Sequence, residues 1–180
     1  MTNVAPRGVP SLPWVSAFPE LNVRTYVRVG DRPGIFFFSL DAGSAIAVKA
    51  ARALTNLPYY RASMTVSAAG SRIEYRSARA PGRAELVGAY EPAGAPFTAV
   101  PGTLEYFLTE RYCLYHHDRR RTPYRLEIHH PPWPLQVAKA SIEQNSMATA
   151  SGLHLVGAPH MLHFARRLDV VVWMPSRLNE

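Results

Sequence analysis

Gly34-Ile35-Phe36-Phe37-Phe38-Ser39-Leu40, continuing through Asp41-Ala42-Gly43-Ser44-Ala45-Ile46-Ala47-Val48 to Leu57-Pro58-Tyr59-Tyr60, is the stretch on which the fold turns. Its first seven residues are apolar on both faces and of strand length, which predicts a central strand covered on either side. Asp41 is placed to cap a helix over residues 42–54. There Ile46, Ala50, Ala53 and Leu54 recur at helical spacing, and small residues between them allow close packing on a sheet. Pro58 forbids the helix to continue, and an aromatic strand starts after it.

Upstream of this stretch, Leu21, Val23, Thr25, Val27 and Val29 alternate with Glu20, Asn22, Arg24, Tyr26 and Arg28, a strand pattern. Asp31-Arg32-Pro33-Gly34 predicts the turn between the two strands. Downstream, strands are expected over 60–68, 71–79 and 84–91, with turns at Ala69-Gly70 and Pro81-Gly82. Pro101-Gly102 opens a short helical turn through Leu104 and Phe107, and residues 110–117 and 124–130 form a hairpin about Arg119-Arg120-Arg121. Residues 136–143 read as a strand, 161–173 as a long terminal strand, and the first 17 as an extended lead-in. One main helix among about nine strands predicts a mainly β (α+β) domain, either a coiled antiparallel sheet or a barrel. At 180 residues the chain fits a single domain spanning 1–180.

Composition excludes more than it assigns. The apolar run at Gly34 is far short of the ~18 residues of a membrane span, and Pro6, Arg7, Pro10 and Pro13 interrupt any secretory leader. One cysteine, Cys113, permits no internal disulfide and suits a reducing, cytoplasmic location. The net charge of +7 rests on 18 arginines and 2 lysines, Lys49 and Lys139, with the arginines scattered over the predicted elements. The one run, Arg119-Arg120-Arg121, sits where a hairpin turns, so no nucleic-acid partner is expected.

Metal binding is not expected either. In His116-His117 and His129-His130, strand neighbours point to opposite faces, so each pair offers one ligand per face. With the arginines at the turn, His117 falls near Pro123, over 20 Å or so from His130 at about 3.3 Å per residue. Cys113 on an aromatic strand reads as buried packing. No phosphate loop, dinucleotide fingerprint or nucleophile elbow is present, and no cofactor is expected. Glu20, Asn22 and Arg24 share one strand face. They either meet solvent or line a cavity where a carboxylate and a guanidinium would hold a ligand, and Glu110-Arg111 repeats the combination.

The segment Leu40 to Val48, with Arg52 and Pro58, resembles acetoacetate decarboxylase, where a strand ending in Leu-Asp leads into a helix opening Ala-Ile-Ala-Val and then a Pro-Lys-Lys step. Phe18-Pro19-Glu20 falls where that family carries a functional glutamate after an aromatic. Four longer segments, beginning at Phe18, Phe107, Ile128 and His163, resemble the YqjF-like bacterial proteins (domain of unknown function 2071). These are placed in the acetoacetate-decarboxylase-like superfamily and have no established activity. The resemblance implies that fold, but Tyr59 and Tyr60 stand at the positions of the two lysines. A phenol forms no imine, so Schiff-base decarboxylation is not expected, and whether the chain is an enzyme stays open.

What the resemblance implies instead is a small organic ligand, a carbonyl or carboxylate compound, in a sheet-lined cavity with Glu20, Arg24, Tyr59, Tyr60 and Arg111 as candidate contacts. The alternatives are a lyase or hydrolase using Glu/Tyr acid–base chemistry, and an interaction protein. Relatives carry strands upstream of the part matching Val4 to Pro10, so the domain is expected to be incomplete at the N-terminus: either the true start lies upstream of Met1, or this is a shortened copy lacking N-terminal strands. In the second case the open sheet edge would favour pairing with a partner, a second copy of the chain included, or poor solubility.

Overall fold

The computed structural model describes residues 18–79 and 84–178; the expected lead-in over 1–17 and the Pro81-Gly82 turn lie outside the described residues. β1 (Glu20–Val29) and β2 (Arg32–Ala42) form a long antiparallel hairpin. Its turn is Gly30-Asp31, earlier than expected, and Gly30 supplies the left-handed φ of 57°. Gly34 instead belongs to the strand. A Cβ there would lie 2.6 Å from the Tyr115 ring, so close packing rather than turn chemistry requires glycine at that position.

β2 is the hub. One edge carries β1 throughout, while the other is shared by two parallel partners: β6 (Cys113–His117) at Ile35 and Phe36, and β3 (Tyr59–Ala69) from Leu40 to Ala42. From β3 the sheet runs through β4 (Arg72–Arg79), β5 (Ala84–Pro92) and β8 (Gln136–Asn145) to β9 (His163–Phe164). From β6 it runs through β7 (Pro123–His129) to β10 (Val171–Val172), with β11 (Ser176–Arg177) also on β7. The fold is thus mainly β, with 11 strands among the described residues in a mixed sheet rather than a purely antiparallel one.

The barrel expectation is corrected, because among the described residues the sheet does not close. Its two ends, β9 and β10, are nevertheless joined by residues 165–170 alone, a span of at most about 25 Å, so the sheet curls strongly. The long terminal strand expected over 161–173 is corrected for the same reason. Its residues pair with β8 at one end of the sheet and β7 at the other, which one straight strand cannot do.

The main helix, α1 (Ala45–Thr55), starts later than expected and is capped by Ser44, whose Oγ accepts the Ala47 N–H at 3.3 Å. Asp41 has another task. It is fully buried and forms a two-pronged ion pair with Arg79, at 3.0 Å from Nε and 2.5 Å from Nη2. Asn56, left-handed at φ 56°, ends α1 two residues before Pro58. α2 (Leu104–Thr109) is the helical turn expected after Pro101-Gly102, and α3 (Met147–Ala150) carries no sequence signal that marked it. Leu40, Leu57, Leu114 and Leu126 form the core, with Phe37, Tyr59 and Ile128 packed on it.

Candidate functional site

Tyr59 opens β3 directly after the Leu57-Pro58 step, and its ring lies on the core cluster. That anchor fixes its hydroxyl, which donates to Glu20 Oε2 at 3.2 Å. Tyr75 on β4 donates to the Glu20 backbone carbonyl at 3.0 Å, so two phenols from adjacent strands hold the first residue of β1. Glu20 is placed where β1 meets the concave face of β4, β5 and β8.

A cleft of about 430 Å³ opens there, lined by Glu20, Leu21, Tyr75, Tyr90, strand residues of β5 and β8, and Leu162 to Ala165 around β9. Gly88, opposite Tyr75, lies on its floor at a β-bulge between β5 and β8. Burial raises the Glu20 carboxyl to about 7, against the smaller opposing pull of the Tyr59 hydrogen bond. Burial and the neighbouring Glu20 charge push the Tyr59 phenol far up, burial pushes Tyr75 far up as well, and burial raises Tyr90. The arrangement is a carboxyl that exchanges its proton near neutrality among phenols that keep theirs. Such a group donates a hydrogen bond when protonated and accepts a proton when not.

The five candidate residues divide into three groups. Glu20 lines the cleft, and Tyr59 holds its carboxyl from behind without lining the cleft itself. Tyr60, on the other face of β3, has the Arg79 guanidinium 3.9 Å above its ring and that of Arg52 at 5.6 Å, so it belongs to the Asp41–Arg79 stack and does not line the cleft. Arg24 and Arg111 converge elsewhere, at 5.7 Å and 5.9 Å from the Tyr26 ring centre, and Arg111 also covers Phe107 at 4.3 Å. Glu110 is buried beside Arg111 but its carboxylate takes the Tyr112 hydroxyl, so the two charges do not pair with each other. Tyr75, Tyr90 and His163 were missed. Each stands at an unexceptional place in an alternating segment, and the curl of the sheet is what brings them together.

His117 faces Pro123 across the β6–β7 hairpin, as the spacing implied, and each histidine pair has one buried and one exposed member. Among the described residues no group of three or more His, Cys, Asp or Glu could hold a metal ion. The arginine run does turn the hairpin. Asp118 accepts the Arg120 and Thr122 amides at 2.8 Å and 2.9 Å, and those bonds lower its pKa. Cys113 is buried, with its thiol pKa raised by burial, as befits packing. No helix among the described residues is long and apolar enough to cross a membrane.

Similarity to known proteins agrees with this fold. The chain is 45% identical over 174 residues to the uncharacterized protein YqjF of Bacillus subtilis (strain 168), covering 96% of this chain and 72% of that one. The solved acetoacetate decarboxylase of Legionella pneumophila superposes with a TM-score of 0.58 at 12% identity, over 90% of this chain and 67% of that one. The enduracididine biosynthesis enzyme MppR, complexed with pyruvate, gives 0.55 at 13% identity, over 90% and 66%. These two likenesses show the fold, which is that of acetoacetate decarboxylase. The family described as an uncharacterized conserved protein, DUF2071, matches residues 1–169, and the chain belongs to it.

Proposed function

We propose that this chain binds a small organic molecule bearing a carbonyl or carboxylate group in the cleft beside Glu20, without forming an imine. The observation that carries the reading is Glu20, held by the Tyr59 hydroxyl at 3.2 Å, at the wall of a cleft of about 430 Å³, within the usual size of a small-molecule site. Pyruvate in the MppR complex is a compound of this class held on a similar fold. The sequence has two lysines. Lys49 is exposed on α1, and Lys139 lies between Ala138 and Ala140, which line the cleft, so it projects from the opposite face of β8. Neither offers an amine to a molecule at Glu20.

Two measurements test this. Glu20→Gln, checked for retained folding, abolishes binding of carbonyl probes if the carboxyl is the anchor. Borohydride with a keto acid leaves both lysines unmodified, and a stable adduct on either overturns the argument against imine chemistry. A second reading is favoured by the carboxyl pKa of about 7. It makes the cleft the site of a lyase or hydrolase in which Glu20 moves a proton, and turnover would then follow one ionisation near that value.

A further inference from the structure

We propose that the occupant of the Glu20 cleft is an uncharged carbonyl compound with an extended apolar body, and that the cleft discriminates against carboxylates. This rests on the reading that the cleft is a ligand site and narrows its chemistry. Leu21, Leu86, Ala140, Ile142, Leu162 and Phe164 make most of the wall apolar. The chain has 18 arginines, yet none is among the described residues lining the cleft. Arg72 and Arg76, on the strand that supplies Tyr75, line a separate polar hollow with Glu74 and Glu143.

Among the described residues, a carboxylate entering the cleft would therefore leave water with no guanidinium or lysine ammonium lining the cleft to meet it. It would also face the Glu20 carboxyl, a group of the same ionic sign. An unpaired charge in such a place carries a large desolvation penalty, whereas a ketone or ester oxygen needs one good donor. Donors are present. The Tyr90 hydroxyl makes no hydrogen bond among the described residues, and the Glu20 carboxyl becomes a donor when it holds its proton. A compound as small as pyruvate would leave the Leu86, Ile142 and Phe164 surface wet, while an alkyl body covers it.

The test uses a matched pair, octan-2-one and 2-oxooctanoate, which differ by a carboxylate in place of a methyl group. Calorimetry is run at about pH 7.5 for both compounds, with His163 the one described lining residue able to take a positive charge. The ketone is expected to bind at least ~10-fold more tightly than the keto acid, and homologous ketones to gain about 4-fold per added methylene. Ile142→Arg, at a half-exposed position, introduces the missing cation and should reverse the preference. If the keto acid binds the unaltered protein more tightly than the ketone, the inference fails while the ligand site stands. If neither compound binds, the ligand site itself falls, and the inference with it.

Discussion

Glu20→Gln should make the folded protein more stable above neutrality and leave it unchanged in acid. The carboxyl titrates at about 7 in the folded state against an ordinary 4.5, because burial favours its neutral form. Below about pH 4.5 both the folded and unfolded chains hold the proton, and Glu20 carries no penalty. Between the two values the unfolded chain ionises while the folded one stays protonated, so stability falls as pH rises. Above about 7 the loss is complete. At ~1.4 kcal/mol per pH unit the interval corresponds to about 3 kcal/mol, and partial solvent contact trims this to about 2 kcal/mol. Gln keeps an oxygen to accept the Tyr59 hydroxyl while removing the ionisation. Urea unfolding of both proteins from about pH 4.5 to 8.5 measures it, since the difference between the curves cancels groups common to both. In thermal scans the same effect is roughly 4–8 °C at high pH for a chain of this size. Among the described residues, Tyr59 and Asn22 hydrogen-bond the carboxyl, Tyr75 holds the Glu20 backbone carbonyl, and Tyr90 and His163 line the same cleft. A difference that is flat across pH, or a Gln variant that is the weaker protein in alkali, would refute the reasoning.

Further expectations concern the frame around the cleft. Tyr59→Phe removes the bond that opposes burial, so the Glu20 titration followed by carbon-detected NMR should move to higher pH. Asp41→Ala strands the buried Arg79 guanidinium and should cost about 3–5 kcal/mol in urea unfolding, with much of it recovered by the double variant Asp41→Leu/Arg79→Met. Leu126→Ala empties the best-buried leucine of the core and should cost about 2–5 kcal/mol without altering the pH profile of Glu20. Gly88→Ala drives a Cβ to 2.7 Å from the Ser141 carbonyl oxygen, and the strain should cost about 1–3 kcal/mol and weaken any binding in the cleft.

The strands of this protein were legible because alternation and two-residue turns are local. β1, β3, β4 and β5 fall within a residue or two of where Leu21–Val29 alternation and the turn at Gly70 put them. What was not legible depends on contacts distant in sequence. Asp41 looks like a helix cap until Arg79, 38 residues on, is brought against it. Gly34 looks like a turn residue until the Tyr115 ring takes the space beside it. Glu20 was found through the family resemblance, since periodicity cannot say which face of β1 looks into a curl. Arg24 shares a strand with Glu20 yet serves another cluster, and the tyrosines of β4 and β5 reach the site through the coiling of the sheet.

The attachment of β9 has a consequence for motion. Two residue pairs and one further backbone bond, from Ala138 N–H to the Leu162 carbonyl, hold this wall of the cleft to β8. β2, by contrast, is tied into three neighbours and backs on the leucine core. Segments opening from so short a ladder do so at a fraction of the global unfolding free energy. Amide hydrogens of Leu162 to Ala165 should thus exchange long before those of Ile35 to Leu40. One wall of the cleft is thus held by a different, weaker set of bonds from the part of the molecule that keeps it folded.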